Sequence, residues 1–344
     1  MTTPQQDAVP LATAVPGRAA ARGARLAPRH WILAGAVLIA AILPLVFQGF
    51  VVFQLTEVMI YGLAILGLNL LTGFNGQFSL GHGAFYGLGA YVTAVLMQRY
   101  GIAYYWTLPA AGGICFAVGA LFGLPALRLQ GLYLALATFA LAVALPQLLK
   151  FQPLEGWTGG VQGLTVDQPD APSFLPIDAD QWLYYFTLIV VLIMFAGAAN
   201  LVNSRTGRAI MAIRDHPIAA SAMGINAPLY KTLTFGVSAL YTGVAGALGA
   251  LAVQFVAPDS FTLFLSISIL VGLILGGMGS LAGCLFGGLF VLYVPNIAEA
   301  VSRGLAGAIY GIIMLLVIFV LPSGAAGFPR SVAGYLGRRR ARRS

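Results

Sequence analysis

Residues 67–90 read GLNLLTGFNGQFSLGHGAFYGLGA, a polar and glycine-rich stretch inside otherwise apolar sequence. Its candidate functional side chains are Asn69, Thr72, Asn75, Gln77, Ser79 and His82. Backbone that leaves a helix at membrane depth must be buried in protein or must line a water-filled cavity. Transporters bind polar solutes near the middle of the bilayer with broken helices of this kind. The stretch therefore favours a substrate pathway, whereas the alternative is a tight turn whose glycines serve helix packing. His82 taken alone is typical of a hydrogen-bonded packing residue.

The composition of the whole chain indicates a membrane protein. Of its 344 residues, 59% are hydrophobic and 8% are charged, whereas soluble domains carry about 25% charged residues. So few charges cannot cover a soluble surface, and the 43 glycines suit helices that approach each other closely in lipid. We predict an all-α fold, a polytopic transmembrane helical bundle.

Apolar runs of about 20 residues, the length that crosses a bilayer, recur about ten times along the chain. The predicted spans are Trp31–Phe50, Val51–Leu71, Ser79–Met97, Thr107–Leu127, Leu132–Lys150, Trp182–Val202, Leu229–Val253, Phe261–Met278, Leu281–Ala300 and Leu305–Leu321. The first run is longer than a signal-peptide core, so we expect it to be an uncleaved helix.

The charged residues orient these spans. Lys and Arg concentrate in cytoplasmic segments, and here they cluster in both terminal tails and after the sixth predicted span. Loop 151–181 carries five acidic residues and no Lys or Arg. About ten spans with both termini cytoplasmic satisfy this distribution, and they explain the net charge of +8 without a nucleic-acid partner.

The same reasoning divides the chain into three parts. Residues 1–30 and 323–344 are predicted to be basic cytoplasmic tails. Residues 31–322 are predicted to form the transmembrane domain, with an outer loop at 151–181 and a cytoplasmic segment at 203–228.

The cytoplasmic segment contains the run SRTGRAIMAIRDHPIAASAMGIN at 204–226. Ile210 and Ile213 share one helical face, Pro217 ends that helix, and a second apolar stripe begins at Ile218. The pattern predicts an amphipathic helix–turn–helix against the membrane that docks a cytoplasmic partner. The alternative is a loop that only satisfies the positive-inside rule.

A third glycine-rich run, GLILGGMGSLAGCLFGG at 272–288, contains GxxxG steps that allow close helix contact. Packing is its expected role. Its break at 276–280 resembles the break at 73–79, which is a hint of the internal repeat that many transporters contain.

The sequence offers little for catalysis. Cys115 and Cys284 stand apart in apolar runs, without the spacing of a disulfide framework or a zinc site. The nucleotide-binding pattern GxxxxGK[ST] is absent, because Lys150 and Lys231 follow Leu and Tyr. We expect a non-catalytic chain with no cofactor and no metal site, in which any ATP hydrolysis belongs to another chain.

Glu57 stands alone in the second predicted span. An intramembrane carboxylate is energetically costly and indicates a functional site. The alternative is a position near the outer interface, where water reaches the side chain.

Four stretches resemble the permease subunits of branched-chain amino acid ABC transporters, specifically the LivM type. In chain order they are Asn69–Tyr91, Thr158–Leu164 (TGGVQGL), Arg205–Ile225 and Gly276–Gly283 (GGMGSLAG). Together they cover most of the chain from about residue 55 to residue 322, and their common order makes the resemblance specific.

The resemblance implies a binding-protein-dependent importer of Leu, Ile or Val in the bacterial inner membrane. Its partners would be a second homologous permease, two cytoplasmic ABC ATPases, a periplasmic substrate-binding protein and membrane lipid. The family's ATPase-coupling role falls on Arg205, Gly207, Arg208, Arg214, Asp215 and Gly224. The substrate role falls on the polar stretch from Asn69 to His82.

Other functions stay open at the level of sequence. A urea or short-chain amide permease has the same architecture, although Gly81-His82-Gly83 leans towards the amino acid type. A stand-alone secondary transporter or channel needs a coupling-ion site, for which Glu57 is a lone candidate. A membrane anchor leaves the polar stretch unexplained.

Overall fold

The protein is described by a computed structural model that covers residues 27–127, 129, 131–172, 176–302, 304–320 and 324. Within these residues the chain forms thirteen α-helices and two short strands. The elements are α1 Ala27–Val46, α2 Phe50–Leu68, a π-helix Asn69–Phe74, α3 His82–Tyr100, α4 Tyr104–Ala126, α5 Leu132–Leu149, α6 Gln152–Thr158, a 3₁₀-helix Gly160–Gln162, β1 Leu164–Thr165, α7 Ala179–Asn203, α8 Arg205–Asp215, α9 Pro217–Ala222, α10 Ala227–Val253, β2 Phe255–Val256, a 3₁₀-helix Pro258–Phe261, α11 Leu263–Gly276, α12 Leu281–Val301 and α13 Ala306–Val320. Helix α1 belongs to one compact unit, and the elements from α2 onward form another.

The predicted all-helical class is confirmed. Each predicted span corresponds to one helix, namely α1 to α5, α7 and α10 to α13. Six described helices are long and apolar enough to cross a membrane, and three more are apolar but shorter. The third predicted span starts three residues late, at His82, because residues 76–81 are not helical. The total of ten spans and the side of each terminus stay predictions.

Helix α10 lies at the centre of the larger unit, where it packs against α4, α3 and α2. Its second half reads GVAGALGALAV at 243–253. Small residues of this kind let the backbones of neighbouring helices approach closely, and this close packing holds helices together in lipid. Most of the helix is buried. The polar side chains in the buried part of α10 therefore need hydrogen-bond partners inside the bundle.

Helices α11 and α12 pack through the third glycine-rich run. A Cβ atom at Gly276 would overlap the carbonyl group of Gly283, and one at Gly287 would overlap that of Gly272. The expected packing role of these GxxxG steps is confirmed.

Large apolar side chains cover the outward faces of the surrounding helices. Leu121, Leu136, Ile193, Phe286 and Leu315, from five different helices, are all exposed. Soluble proteins rarely expose apolar surface on this scale. This surface is that of a multi-pass membrane protein.

The loop between α5 and α7 is anchored to the connection between α10 and α11. Strands β1 and β2 pair antiparallel, with Leu164 opposite Val256. Lys150 forms an ion pair of 2.5 Å with Asp259 at the same end of the unit. The predicted basic tails lie outside the described residues, apart from residues 27–30 and 324.

Candidate functional site

Helix α2 does not stop at Leu68 but continues as the π-helix of residues 69–74. The chain then runs without helical structure from residue 76 to residue 81 and becomes helical again at His82. We call residues 69–82 the broken segment. Single π turns inside α-helices are frequent at functional sites. All six predicted side chains lie in this segment and are buried, between 0% and 8% exposed.

The side chain of Asn69 joins the broken segment to the turn between α11 and α12. Its Nδ2 donates to the carbonyl oxygen of Ser280 at 2.9 Å, and its Oδ1 accepts from the backbone N–H of Gly279 at 2.8 Å. Gly73 permits this arrangement, because a Cβ atom there would overlap Oδ1 of Asn69. The two glycine-rich breaks noted in the sequence therefore contact each other through one amide.

His82 is held by hydrogen bonds at both ring nitrogens. Ser238 Oγ donates to the carbonyl oxygen of Gly67 at 2.6 Å, so it accepts from His82 Nε2 at 2.6 Å. Nδ1 of the same ring is hydrogen-bonded to Ser79 Oγ at 3.1 Å. The bond to Ser238 places a proton on Nε2. His82 links α3 to α10, as expected of a packing residue.

The side chains of two further predicted residues form hydrogen bonds to backbone carbonyl groups of this chain. Thr72 Oγ1 donates to the carbonyl oxygen of Gln77 at 2.9 Å, and Gln77 Nε2 donates to the carbonyl oxygen of Lys231 at 3.2 Å. Asn75 differs from them, because neither polar atom of its side chain has a hydrogen-bond partner among the described residues. A buried amide without partners requires water or another polar group. Among the predicted pathway residues, Asn75 is therefore one whose side-chain amide is buried without a hydrogen-bond partner in the part of the chain that the structure describes.

Other helices hold the broken segment through residues that the sequence reasoning missed. Thr138 of α5 accepts from the backbone N–H of Leu80 at 2.9 Å, and Ser266 of α11 accepts from that of Gly83 at 2.9 Å. Ser238 was also missed, although its spacing from two other polar residues in the sequence could have indicated it. It lies four residues from both Thr234 and Thr242, so the three form one polar stripe on α10, and all three are buried.

The predicted pair of helices in segment 203–228 is confirmed, while its cytoplasmic position and its docking role stay predictions. Helix α8 ends at Asp215, Pro217 is the first residue of α9, and Gly224 follows with a φ of 81°. Ile210 and Ile213 are buried as expected. Ile218, where the second apolar stripe begins, is 86% exposed, so it is not buried against this chain. The short helix α9 packs instead through Ala220, against Ile213.

The first turn of α8 is fixed by its cap. Ser204 Oγ accepts from the backbone N–H of Gly207 at 3.3 Å, and Gly207 is buried. Arg205 and Arg208 are exposed, and Arg208 Nη1 donates to the carbonyl oxygen of Asn203 at 3.2 Å. Both arginines therefore lie on the exposed surface of α8.

Arg214 connects the two predicted sites. Its Nη1 donates to the carbonyl oxygen of Gly73 in the broken segment at 2.8 Å. Its Nε donates to Asp215 Oδ1 at 2.9 Å. Helix α8 and the broken segment thus share a direct polar contact at the C-terminal end of the π-helix.

Glu57 lies on α2, far from that contact. Its side chain is 4% exposed, and Oε1 has no hydrogen-bond partner among the described residues. The carboxyl group is therefore buried within this chain, and its depth in a membrane stays a prediction.

Comparison with known proteins identifies relatives over most of the chain. Residues 50–318 match the family model described as branched-chain amino acid transport system permease component. Over 248 residues the chain is 34% identical to the high-affinity branched-chain amino acid transport system permease protein LivM of Salmonella typhimurium, and equally to that of Escherichia coli. These matches cover 65% of this chain and 58% of each LivM relative.

A second set of relatives carries a different name. The chain is 26% identical over 303 residues to the high-affinity branched-chain amino acid transport system permease protein LivH of Salmonella typhimurium. This match covers 78% of this chain and 92% of that relative. No solved structure matches the chain.

Proposed function

Because the chain belongs to the family of branched-chain amino acid transport permeases, we propose that it is the membrane-spanning permease subunit of a binding-protein-dependent importer for Leu, Ile and Val. The observation that carries the proposal is the broken segment. This segment interrupts an apolar helix and carries buried polar side chains, as expected for a pathway through a bilayer. Within that segment, Asn75 is the residue proposed to meet the passing solute, and the remaining five shape the bundle around it.

The proposed partners follow from the relatives and from the segment around α8. Relatives named LivM and LivH support a pathway formed with a second, homologous permease. Two ATPases in the cytoplasm are proposed to dock on Arg205, Gly207, Arg208, Arg214, Asp215 and Gly224, and a periplasmic protein is proposed to deliver the amino acid. This chain is then the non-catalytic subunit, and ATP is hydrolysed in the partners.

The proposed topology places the chain in the bacterial inner membrane with ten spans and both termini in the cytoplasm. The permease domain is residues 31–322, between the basic tails 1–30 and 323–344. Loop 151–181 faces the periplasm, and the coupling segment 203–228 faces the cytoplasm. The described helices, the acidic loop and the arginines of α8 support this arrangement.

Uptake of labelled solutes tests the substrate directly. A strain that lacks this gene and other leucine importers is compared with the same strain carrying the gene, for leucine, urea and acetamide. We expect the gene to restore leucine uptake alone. Unchanged leucine uptake contradicts the proposal, and restored uptake of urea or acetamide in its place assigns the chain to the amide-type permeases.

Co-purification tests the ATPase partners separately. Arg208→Glu reverses the charge of an exposed side chain on α8, so we expect the permease to insert normally but to lose its ATPases. Recovery of the ATPases at the wild-type yield contradicts docking at this segment.

A further inference from the structure

A cavity of about 100 Å³ lies beside Glu57, at the opposite end of α2 from the broken segment. Its lining residues are Glu57, Tyr61, Tyr86, Ala90, Gly249, Ala250, Val253, Phe255, Val256, Ser260, Phe261 and Leu265. Val253, Phe255 and Ser260 are exposed, whereas Glu57 and Tyr86 are buried. The cavity therefore leads from the protein surface to the carboxyl group, and it has room for several waters or one small polar headgroup.

One carboxyl oxygen of Glu57, Oε1, lacks the hydrogen-bond partner that a buried acid needs. Only 4% of the residue is exposed, and no hydrogen bond to Oε1 is formed by the described residues. Buried charges in proteins are normally paired, because an isolated one is strongly destabilising. No Lys, Arg or His is among the lining residues, so the side chains that form this cavity offer no counter-charge to an ionised Glu57.

Aromatic rings form one wall of the cavity. Tyr61 and Tyr86 stack with their centroids 6.4 Å apart, and the Phe261 ring lies 6.1 Å from that of Tyr86. The faces of such rings attract cations. The remaining lining is mostly Ala, Val and Leu, which suits an apolar group attached to the cation.

The position of the cavity matches the outer end of the proposed topology. Val256 lines it and pairs with Leu164 of loop 151–181, which we have placed in the periplasm. Glu57 and Gly73 are sixteen residues apart, which is roughly 24 Å along a helix. A solute released at the outer face thus reaches Glu57 well before it reaches the broken segment.

We propose that Glu57 and the rings of Tyr61, Tyr86 and Phe261 bind a primary ammonium group attached to a small apolar chain. The carboxylate pairs with the ammonium ion, and the ring faces surround the remaining N–H groups. Identification of this ligand as the α-ammonium end of an incoming amino acid rests on the proposed function. The ammonium site itself rests on the cavity and the unpaired carboxyl group.

Thermal stability of the purified, full-length chain tests the ammonium site without transport. The probes are isopentylamine, which has the ammonium and the branched chain, and 4-methylpentanoate, which has the branched chain and a carboxylate instead. A ligand that binds only the folded state raises the melting temperature. At saturating concentration and constant ionic strength, we expect isopentylamine to raise it by roughly 2–4 °C and 4-methylpentanoate to leave it unchanged.

Variants then place the effect at Glu57. Glu57→Gln should abolish the isopentylamine shift, whereas Asp259→Asn, which removes an exposed carboxylate at the same end, should retain it. If Glu57→Gln cannot be purified, Tyr61→Ala replaces it and should reduce the shift. Absence of the shift in the wild-type chain, or its persistence in the Glu57 or Tyr61 variant, overturns the proposal.

Uptake by the assembled transporter separates this inference from the proposed function. In a complex that imports leucine, Glu57→Gln should reduce uptake at least about tenfold, because truncating one partner of a buried charge pair has effects of that size or larger. Wild-type uptake in the variant overturns the role of Glu57 and leaves the proposed function intact. No leucine uptake by the wild-type complex refutes the proposed function, while the amine shift still decides the ammonium site.

Discussion

The guanidinium group of Arg214 hydrogen-bonds to the backbone carbonyl oxygen of Gly73 at 2.8 Å, across 141 residues of sequence. Arg214 belongs to the amphipathic helix α8, and Gly73 belongs to the π-helix that interrupts the apolar bundle. The contact gives α8 a direct mechanical connection to the broken segment.

Arg214→Ala should weaken the connection between ATP hydrolysis and transport. The side chain is partly exposed, so we expect the lost hydrogen bond to be worth about 1 kcal/mol. Leucine uptake per ATP hydrolysed should then fall about fivefold, with the ATPases still bound. Both quantities are measured in reconstituted vesicles.

Asp215→Asn is the matched control for that variant. It removes the charged partner of Arg214 Nε but leaves the bond to Gly73 available. We expect the ratio of uptake to hydrolysis to stay close to that of the wild type. An equal loss in both variants would mean that the ion pair, and not the bond to Gly73, carries the coupling.

Ser238→Ala should destabilise the bundle. The substitution leaves His82 Nε2 and the carbonyl oxygen of Gly67 without their buried partner. Unsatisfied buried groups cost about 1–3 kcal/mol each, so the melting temperature of the purified chain should fall by several degrees. Thr234→Ala is the control, because among the described residues the Thr234 hydroxyl bonds only to the carbonyl oxygen of Tyr230 in its own helix. Equal melting temperatures for the two variants would argue against the His82 network.

Asn69→Asp should be more damaging than Asn69→Leu. Both variants lose the donor to Ser280, but the aspartate also places a buried charge against a carbonyl oxygen. We expect the difference in unfolding free energy to be at least about 2 kcal/mol. The yield of monodisperse protein and its melting temperature measure this difference, and a leucine variant as unstable as the aspartate variant would contradict it.

Ile218→Ser and Met223→Ser should impair the docking of a cytoplasmic partner. Both side chains are more than 80% exposed on or just after α9, Ile218 at 86% and Met223 at 83%. Exposed apolar residues at such a site commonly fill pockets of a partner. ATPase recovery with the purified permease should fall, whereas Ser221→Ala should leave it unchanged. Full recovery with both serine variants would exclude this face from the interface.

The helices of the transmembrane domain could be predicted because their cause is local. A bilayer demands about 20 apolar residues for each span, and that demand is visible in the sequence without knowledge of any partner. For α5 the predicted span Leu132–Lys150 differs from the helix by one residue at its end, and the same holds for α12.

The partners inside the candidate site could not be predicted in this way. A polar residue such as His82 must be hydrogen-bonded when buried, but its sequence neighbours do not say by which group. Its partner Ser238 lies 156 residues away. The contact between Arg214 and Gly73 is equally non-local, so the sequence indicated both segments without indicating that they meet.

Amphipathic spacing was a weaker guide in the short helix α9. Spacing identifies which residues share one face of a helix, but it does not say which face packs against the rest of the chain. Helix α9 has six residues and is held by Ala220, so the larger Ile218 stays outside. An apolar stripe on so short a helix fits contact with another chain as well as contact with the core.

The antiparallel pairing of β1 with β2 has a mechanical consequence at the other end of the unit. The backbone N–H of Val166 donates to the carbonyl oxygen of Gln254 at 2.8 Å, and Val256 lines the cavity beside Glu57. Strands joined in this way move together, or the bonds between them break. A displacement of the loop before β1 would therefore be passed through the paired strands to Val256, at the rim of the cavity.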